Sequence, residues 1–358
     1  MANKHINSML ELIGNTPLLK LNKAARHVGA NVFVKLEHLN PSGSYKDRMA
    51  LSMIEAAERG DTWNGRKLEP GGTVCDCSAG NTAPALAFVS AVKGYKTRLS
   101  AYSPLLRGDS ARLKIIKAYG ADVRPSPPAS DYLTEEQMGM VPEEDLKDLA
   151  WVIAAKREMA DLEANSSDTV WVDQIYNKYN KIGQMSIGYE LHEQLDGQID
   201  AWGCAVGSGS TLLGVILALK EKGVNPLTFG VAPYGSESFM ELKTPEAKRG
   251  EFQLSTMSRQ LVDWMGLKKW QTEKSIVEEM MERGYPDEFF QVSEVEARNM
   301  ANILCEQEGI YCGMSSGANV LVALKIAERF KPGQNVVTVI CDRRDRYLGE
   351  YPNDVFVV

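Results

Sequence analysis

Apolar positions along the chain fall into two alternating periods. Short runs rich in β-branched and apolar residues lie at Asn31–Lys35, Thr73–Cys77, Thr97–Ala101, Thr169–Val172, Ala201–Val206, Leu227–Ala232 and Asn335–Cys341. Between them the pattern turns helical, at Asp47–Arg59, Thr82–Lys93, Ser110–Tyr119, Leu146–Leu162, Ile182–Leu195, Thr211–Lys222, Glu294–Glu308 and Ala318–Phe330. Strand–helix alternation of this kind predicts parallel sheets covered by helices on both faces. These strands, with an N-terminal pair, exceed what one compact sheet needs, so the expected fold class is α/β with two lobes. Gly60 and Gly120 stand where two of the helices should be capped. The Pro-rich stretch Pro125–Asp145 breaks the rhythm and reads as a lid or surface insertion. Gly235–Gln271 is a second irregular region, and no internal repeat or low-complexity tract is evident.

Composition narrows the partners. A chain of 358 residues can bury two sizeable cores. With 40 Lys plus Arg against 47 Asp plus Glu, the net charge is −7, and no basic stripe offers itself to nucleic acid. No apolar run approaches the roughly 20 residues of a membrane helix. The start, Met1-Ala-Asn-Lys-His5, lacks the apolar core of a secretion signal, which points to a cytoplasmic protein. Most of the six cysteines sit in strand-like or helix-like apolar stretches, as reduced buried thiols do, and Cys75 and Cys77 share one strand face. None of the four histidines has metal-ligand spacing to another His or Cys, so no metal is expected.

Four segments carry candidate chemistry, and each has a plain structural reading beside it. In Asn40-Pro-Ser-Gly-Ser-Tyr-Lys-Asp-Arg48, turn residues lead to a helix whose first turn holds Lys46. The positive end of a helix dipole disfavours an ammonium there, and a neutral imine would be more comfortable; a solvated lysine is the plain alternative. Cys77-Ser-Ala-Gly-Asn-Thr82 follows a strand and opens a helix, as a carboxylate-binding loop or an ordinary turn would. Gly207-Ser-Gly-Ser-Thr211 combines glycines, hydroxyls and a helix start, which suits a phosphate monoester as well as it suits a bare turn. Leu212 replaces the third glycine of the dinucleotide pattern, and no P-loop lysine follows. Cys312-Gly-Met-Ser-Ser-Gly317 again enters a helix, where a serine can also be a simple cap.

In order and spacing, these segments resemble the cysteine synthase and cystathionine β-synthase family of fold-type II pyridoxal-phosphate enzymes. The opening Glu11-Leu-Ile-Gly-Asn-Thr-Pro-Leu18 is similar to that family's N-terminal signature, and the likeness runs from about residue 8 to about 348. The resemblance implies two lobes, each a mostly parallel twisted sheet flanked by helices, as in the tryptophan synthase β chain, with pyridoxal 5'-phosphate between them. It implies a large cofactor-binding domain of residues 1–42 plus 166–358 and a smaller closing domain of residues 43–165. By the same likeness, Lys46 is the catalytic residue and carries the cofactor as a Schiff base. Asn81 would hydrogen-bond its phenolic oxygen, Gly207, Ser208, Gly209, Ser210 and Thr211 would hold its phosphate, and Ser315 would face its pyridine nitrogen, with Ser316 beside it. Ser78, Ala79, Gly80, Thr82 and Gln174 would contact a small amino-acid substrate. A homodimer is implied too.

Departures from the family pattern bear on substrate. The loop reads Ser78-Ala-Gly-Asn-Thr-Ala83 where the family usually has Thr-Ser-Gly-Asn-Thr-Gly, so Ala79 removes a hydroxyl. The expected Gly-Ile-Gly before Leu267 is absent, and the sequence there is Thr256-Met-Ser-Arg-Gln-Leu-Val-Asp-Trp-Met265. What the resemblance implies is β-replacement on a serine-type or cysteine-type amino acid through an aminoacrylate intermediate. The alternative is a β-eliminating lyase or dehydratase of the cysteine desulfhydrase or serine/threonine dehydratase type. A dinucleotide reductase would want an acidic residue near the end of the strand that reads Gly230-Val-Ala-Pro233. A catalytically silent regulatory subunit would not need Lys46 and both loops.

Overall fold

The computed structural model describes residues 5–78, 80–101, 110–139, 143–233 and 274–348. Ala79 and the whole of 235–271, including the 256–265 segment, lie outside the described residues. Two sheets organise the rest. The larger contains β1 (Leu18–Lys20), β2 (Asn31–Leu36), β7 (Ala201–Ala205), β8 (Leu227–Pro233), β9 (Glu288–Val292) and β10 (Asn335–Ile340). Its spatial order is β1-β2-β10-β7-β8-β9. All neighbours are parallel except β1 against β2. The smaller sheet is wholly parallel, in the order β5-β4-β3-β6. Its strands are β3 (Thr73–Cys77), β4 (Lys96–Ala101), β5 (Asp122–Pro125) and β6 (Thr169–Trp171).

Strand composition follows from position in the sheet. Every residue of β10, Asn-Val-Val-Thr-Val-Ile, is buried, as expected for a central parallel strand covered on both faces. β5 and β9 escaped the sequence reading because both are edge strands. β5 is Asp-Val-Arg-Pro, mostly exposed and closed by a proline that an edge strand tolerates.

The helices are α1 (Lys46–Arg59), α2 (Thr82–Lys93), α3 (Ala111–Ala118), α4 (Glu135–Gly139), α5 (Glu143–Ala164), α6 (Lys178–Gln194), α7 (Ser210–Glu221), α8 (Ile276–Glu282), α9 (Glu294–Glu308) and α10 (Met314–Ala327). Gly60 ends α1 in the left-handed conformation at φ +79°, as its position in the sequence predicted. Pro84 is tolerated in α2 because its place in the first turn has no intrahelical N–H partner to lose. The stretch expected as an insertion is partly helical, holding a short turn at Ala129–Asp131, then α4 and the start of α5. α8 was not foreseen. It is short, and its capping box, Ser275 with Glu278, is a local signal beside an irregular region. Among the described residues no helix is long and apolar enough to cross a membrane.

One helix ties the site together. A β-carbon on Gly183 of α6 would lie 2.6 Å from the carbonyl oxygen of Arg48, so the backbones of α6 and α1 touch. Five residues on, a β-carbon on Gly188 would lie 2.7 Å from Cβ of Ala218, in α7. Both approaches are possible only without side chains. α6 therefore packs directly on both α1, which bears Lys46, and α7, which follows the glycine loop.

Candidate active site

Lys46 begins α1, and its amide hydrogen-bonds Ser44 Oγ at 3.3 Å. Its side chain is partly buried, with the amine 4.5 Å from the Tyr45 ring centroid. Burial pushes the amine down to about 8, against the opposing pull of the Cys341 and Cys204 thiols. An amine so placed is a far better nucleophile and base near neutrality than a solvated lysine. The two thiols mark its surroundings as the C-terminal ends of β7 and β10, where ligands collect in parallel α/β sheets. Tyr45 N donates to the Cys341 carbonyl at 3.1 Å, which fixes the start of α1 against that end of β10.

The loop after β3 reaches the same place from the other sheet. Asn81 Nδ2 donates to Asp342 Oδ2 at 2.5 Å, its Oδ1 accepts from Arg346, and Tyr347 OH also donates to Asp342. Ser78 is buried, its amide bonded to Ser100 O at 3.1 Å and its Oγ accepting from Gly80 N at 3.2 Å. Thr82 Oγ1 donates to Gln174 Oε1, and Gln174 Nε2 donates to Cys77 O at 3.3 Å. The expected substrate residues Thr82 and Gln174 are thus in contact, and Asn81 faces the residue after Cys341.

In the Gly207–Thr211 loop, Gly209 is left-handed at φ +77° and Ser208 and Ser210 hydroxyls lie 2.9 Å apart. A β-carbon on Gly207 would meet no atom within 4 Å, so the approach to the loop is open. Backbone N–H groups at the start of the twelve-residue α7 complete an anion cradle. These residues fit a phosphate ester, and the depressed Lys46 amine fits imine formation with an aldehyde. Gly209→Ala would force alanine into a left-handed site at a cost of about 1–2 kcal/mol. The expected result is roughly tenfold weaker binding of pyridoxal phosphate, read by titrating cofactor-free protein.

Ser315, in the first turn of α10, is exposed, as a group facing a ligand cleft would be. Ser316 is fully buried, and its Oγ accepts from Cys341 N at 2.9 Å. Asn319 Nδ2 donates to Val339 O at 2.9 Å and its Oδ1 accepts from Ala205 N at 2.7 Å, stapling β10 to β7.

Several supporting residues were not found from the sequence. Arg48, two residues after Lys46, donates to both oxygens of Glu37 at 2.8 Å and to Glu190 at 2.5 and 2.8 Å. Lys35 adds a 2.7 Å pair with Glu190. Asp342, Arg346 and Tyr347 belong to the charged run that follows the apolar β10, and that contrast was the one available signal.

An α/β fold of two mostly parallel sheets, with a depressed lysine at a helix start and a phosphate-fitting loop, defines a class of coenzyme-dependent enzyme. A family model described as pyridoxal-phosphate dependent enzyme matches residues 9–342, and the chain belongs to that family, whose cofactor is pyridoxal 5'-phosphate. It is similar to cysteine synthase B of Salmonella typhimurium, at 31% identity over 344 residues, covering 96% of this chain and 95% of the relative. Among solved structures, cysteine synthase of Entamoeba histolytica superposes with a TM-score of 0.74 at 25% identity, covering 100% of this chain and 93% of the other. A hydrogen sulfide-producing enzyme of Fusobacterium nucleatum matches with a TM-score of 0.73 at 26% identity, over 97% of this chain and 99% of the other.

Proposed function

We propose that the chain catalyses β-replacement on a serine-type or cysteine-type amino acid, as a cysteine synthase-like transferase. The observation that carries this reading is the Lys46 amine, held at about 8 where the ends of β7 and β10 meet the start of α1. Near-full-length likeness to cysteine synthases supports it. When bound, pyridoxal phosphate supplies the electron sink that lets a Cα–H bond break and a β-substituent leave. The residues of this chain do the rest. Lys46 would be its covalent partner, and the same amine, once released, would take the Cα proton at Nζ and return it. Gly207, Ser208, Gly209, Ser210 and Thr211 would hold the phosphate. Asn81 would orient the ring, and Ser315, a neutral hydroxyl, would leave the ring nitrogen without a compensating carboxylate. Ser78, Ala79, Gly80 and Thr82 would bind the substrate carboxylate, with Gln174 beside them. The protein would work as a cytoplasmic homodimer.

The test offers serine, O-acetylserine, O-phosphoserine and cysteine separately, with and without sulfide, and identifies products by mass. Cysteine formed from an activated serine plus sulfide is the expected result. The rival lyase reading draws on the Fusobacterium relative, described as hydrogen sulfide-producing, and pyruvate released without added thiol would favour it. Failure of all four to shift the cofactor spectrum would overturn the substrate class.

A further inference from the structure

Beneath the substrate loop lies a buried charge cluster that the chemistry above does not use. Lys156 of α5, Asp173 after β6 and Asp76 of β3 are each at most 1% exposed. Lys156 Nζ lies 2.8 Å from Asp173 Oδ1, and 5.5 and 5.2 Å from the ring centroids of Trp171 and Tyr176. Asp76 Oδ1 accepts from Trp171 Nε1 at 3.2 Å and from Cys77 N at 2.8 Å, while its Oδ2 accepts from Gln174 N at 3.3 Å. Asp173 is left-handed at φ +45°, a strained conformation for a residue with a side chain. Its carbonyl accepts from the amides of Tyr176 and Asn177 at 3.2 and 3.0 Å. Gln174, the next residue, is the one that Thr82 grips.

A chain of contacts therefore runs from the Lys156 ammonium to the Ser78–Thr82 loop. One branch passes by direct contact through Asp173 and its strained turn to Gln174; in the other the Lys156 charge acts through space on Asp76, which accepts from the Gln174 and Cys77 amides. We infer that Lys156 is a positioning residue for amino-acid binding, which sets the Gln174–Thr82 contact through the two carboxylates without touching substrate. This inference rests on the proposed function only in taking an amino acid as the ligand of that loop.

The cluster also gives the loop a pH response. Two carboxylates share one cation in a dry site, so they cannot both ionise freely. The charged groups facing Asp76 are Asp173 after β6 and Lys156 from α5, with the Cys77 thiol on its own strand; β4 sets Leu99 opposite. Burial, then Asp173, raise Asp76 to about 6, and Lys156 pulls the other way. Above that pH the ionised carboxylate accepts the Gln174 and Cys77 amides, and below it protonation weakens that hold. Amino-acid binding should therefore fade as the pH falls through about 6.

The experiment compares holoenzyme carrying Lys156→Met, Asp76→Asn, or both, using the amino acid that shifts the wild-type spectrum most. Lys156→Met is expected to keep the visible band of bound cofactor and to raise KM for the amino acid roughly tenfold, with kcat changed by less than about threefold. Its acid limb in kcat/KM should move upward by about one pH unit, because the cation favouring ionised Asp76 is gone. Asp76→Asn should flatten that limb in either background, and it remains informative should Lys156→Met fail to fold. An unmoved KM and limb in Lys156→Met, or an unchanged limb in Asp76→Asn, would overturn the inference. A wild-type enzyme that answers to no amino acid would instead sink the functional reading, so the two failures are distinct.

Discussion

Replacing Lys46 with alanine is expected to lower turnover by roughly a thousandfold or more and to abolish the visible absorption of lysine-bound cofactor. A positioned acid–base group alone contributes about 10²–10⁴-fold, and this lysine would serve as both base and covalent anchor. The Gly207–Thr211 loop, proposed to hold the phosphate, is built on a different element, so Lys46→Ala should still bind pyridoxal phosphate non-covalently, recoverable by gel filtration at low affinity. A second readout uses acidity. Burial holds the amine at about 8, below the ordinary lysine value of 10.5. Attachment of pyridoxal phosphate to cofactor-free enzyme should therefore accelerate up to about tenfold per pH unit below 8 and level off above it. A rate still climbing steeply at pH 9.5 would show an amine of ordinary basicity.

The second large effect is on stability. Arg48→Met removes the cation from between Glu37 and Glu190, where the arginine and Glu37 side chains are 3% and 0% exposed and Glu190 is 14% exposed. Breaking a buried pair by deleting one partner costs about 3–5 kcal/mol, because the abandoned carboxylates stay buried. A fall in Tm of roughly 5–10 °C is expected by calorimetry. The sign with pH can be worked out. Glu190 is held down at about 2 by its hydrogen bonds and charge pairing with Arg48 and Lys35, which outweigh burial. A depressed carboxylate stabilises the folded state above its ordinary pKa of 4.5, and that gain disappears as pH falls toward 2. The variant should lose most of this dependence between those limits. Equal Tm losses at pH 7 and pH 3 would contradict the assignment.

Much of this fold is legible in the sequence. Seven strands and eight helices could be placed because interior parallel strands are continuous apolar runs and long helices show their period; Thr73–Cys77, Thr82–Lys93 and Glu294–Glu308 match to the residue. Lys46 and both loops were visible because helix starts and glycine turns are local features. What stayed hidden is non-local. Asn31–Leu36 and Asn335–Ile340 pair across some 300 positions, and nothing in either run names its neighbour. Arg48, Asp76 and Lys156 look like ordinary charges in a string of letters, and only burial shows that each is neutralised or shared. Ser316 is a similar case. The sequence sets it beside Ser315 as a companion, and the fold turns it inward to hold the Cys341 amide.

The two glycines of α6 have a mechanical consequence. Because Gly183 and Gly188 let that helix rest directly on the backbones before and behind it, the span between the reactive amine and the anion loop is set by the thickness of a bare helix. If Lys46 and the Gly207–Thr211 loop take the two ends of one coenzyme, as proposed, this helix is the caliper between them. On that reading, any tightening around a bound amino acid falls to the sheet that carries Ser78–Thr82, because the helix-set span leaves the other side no slack.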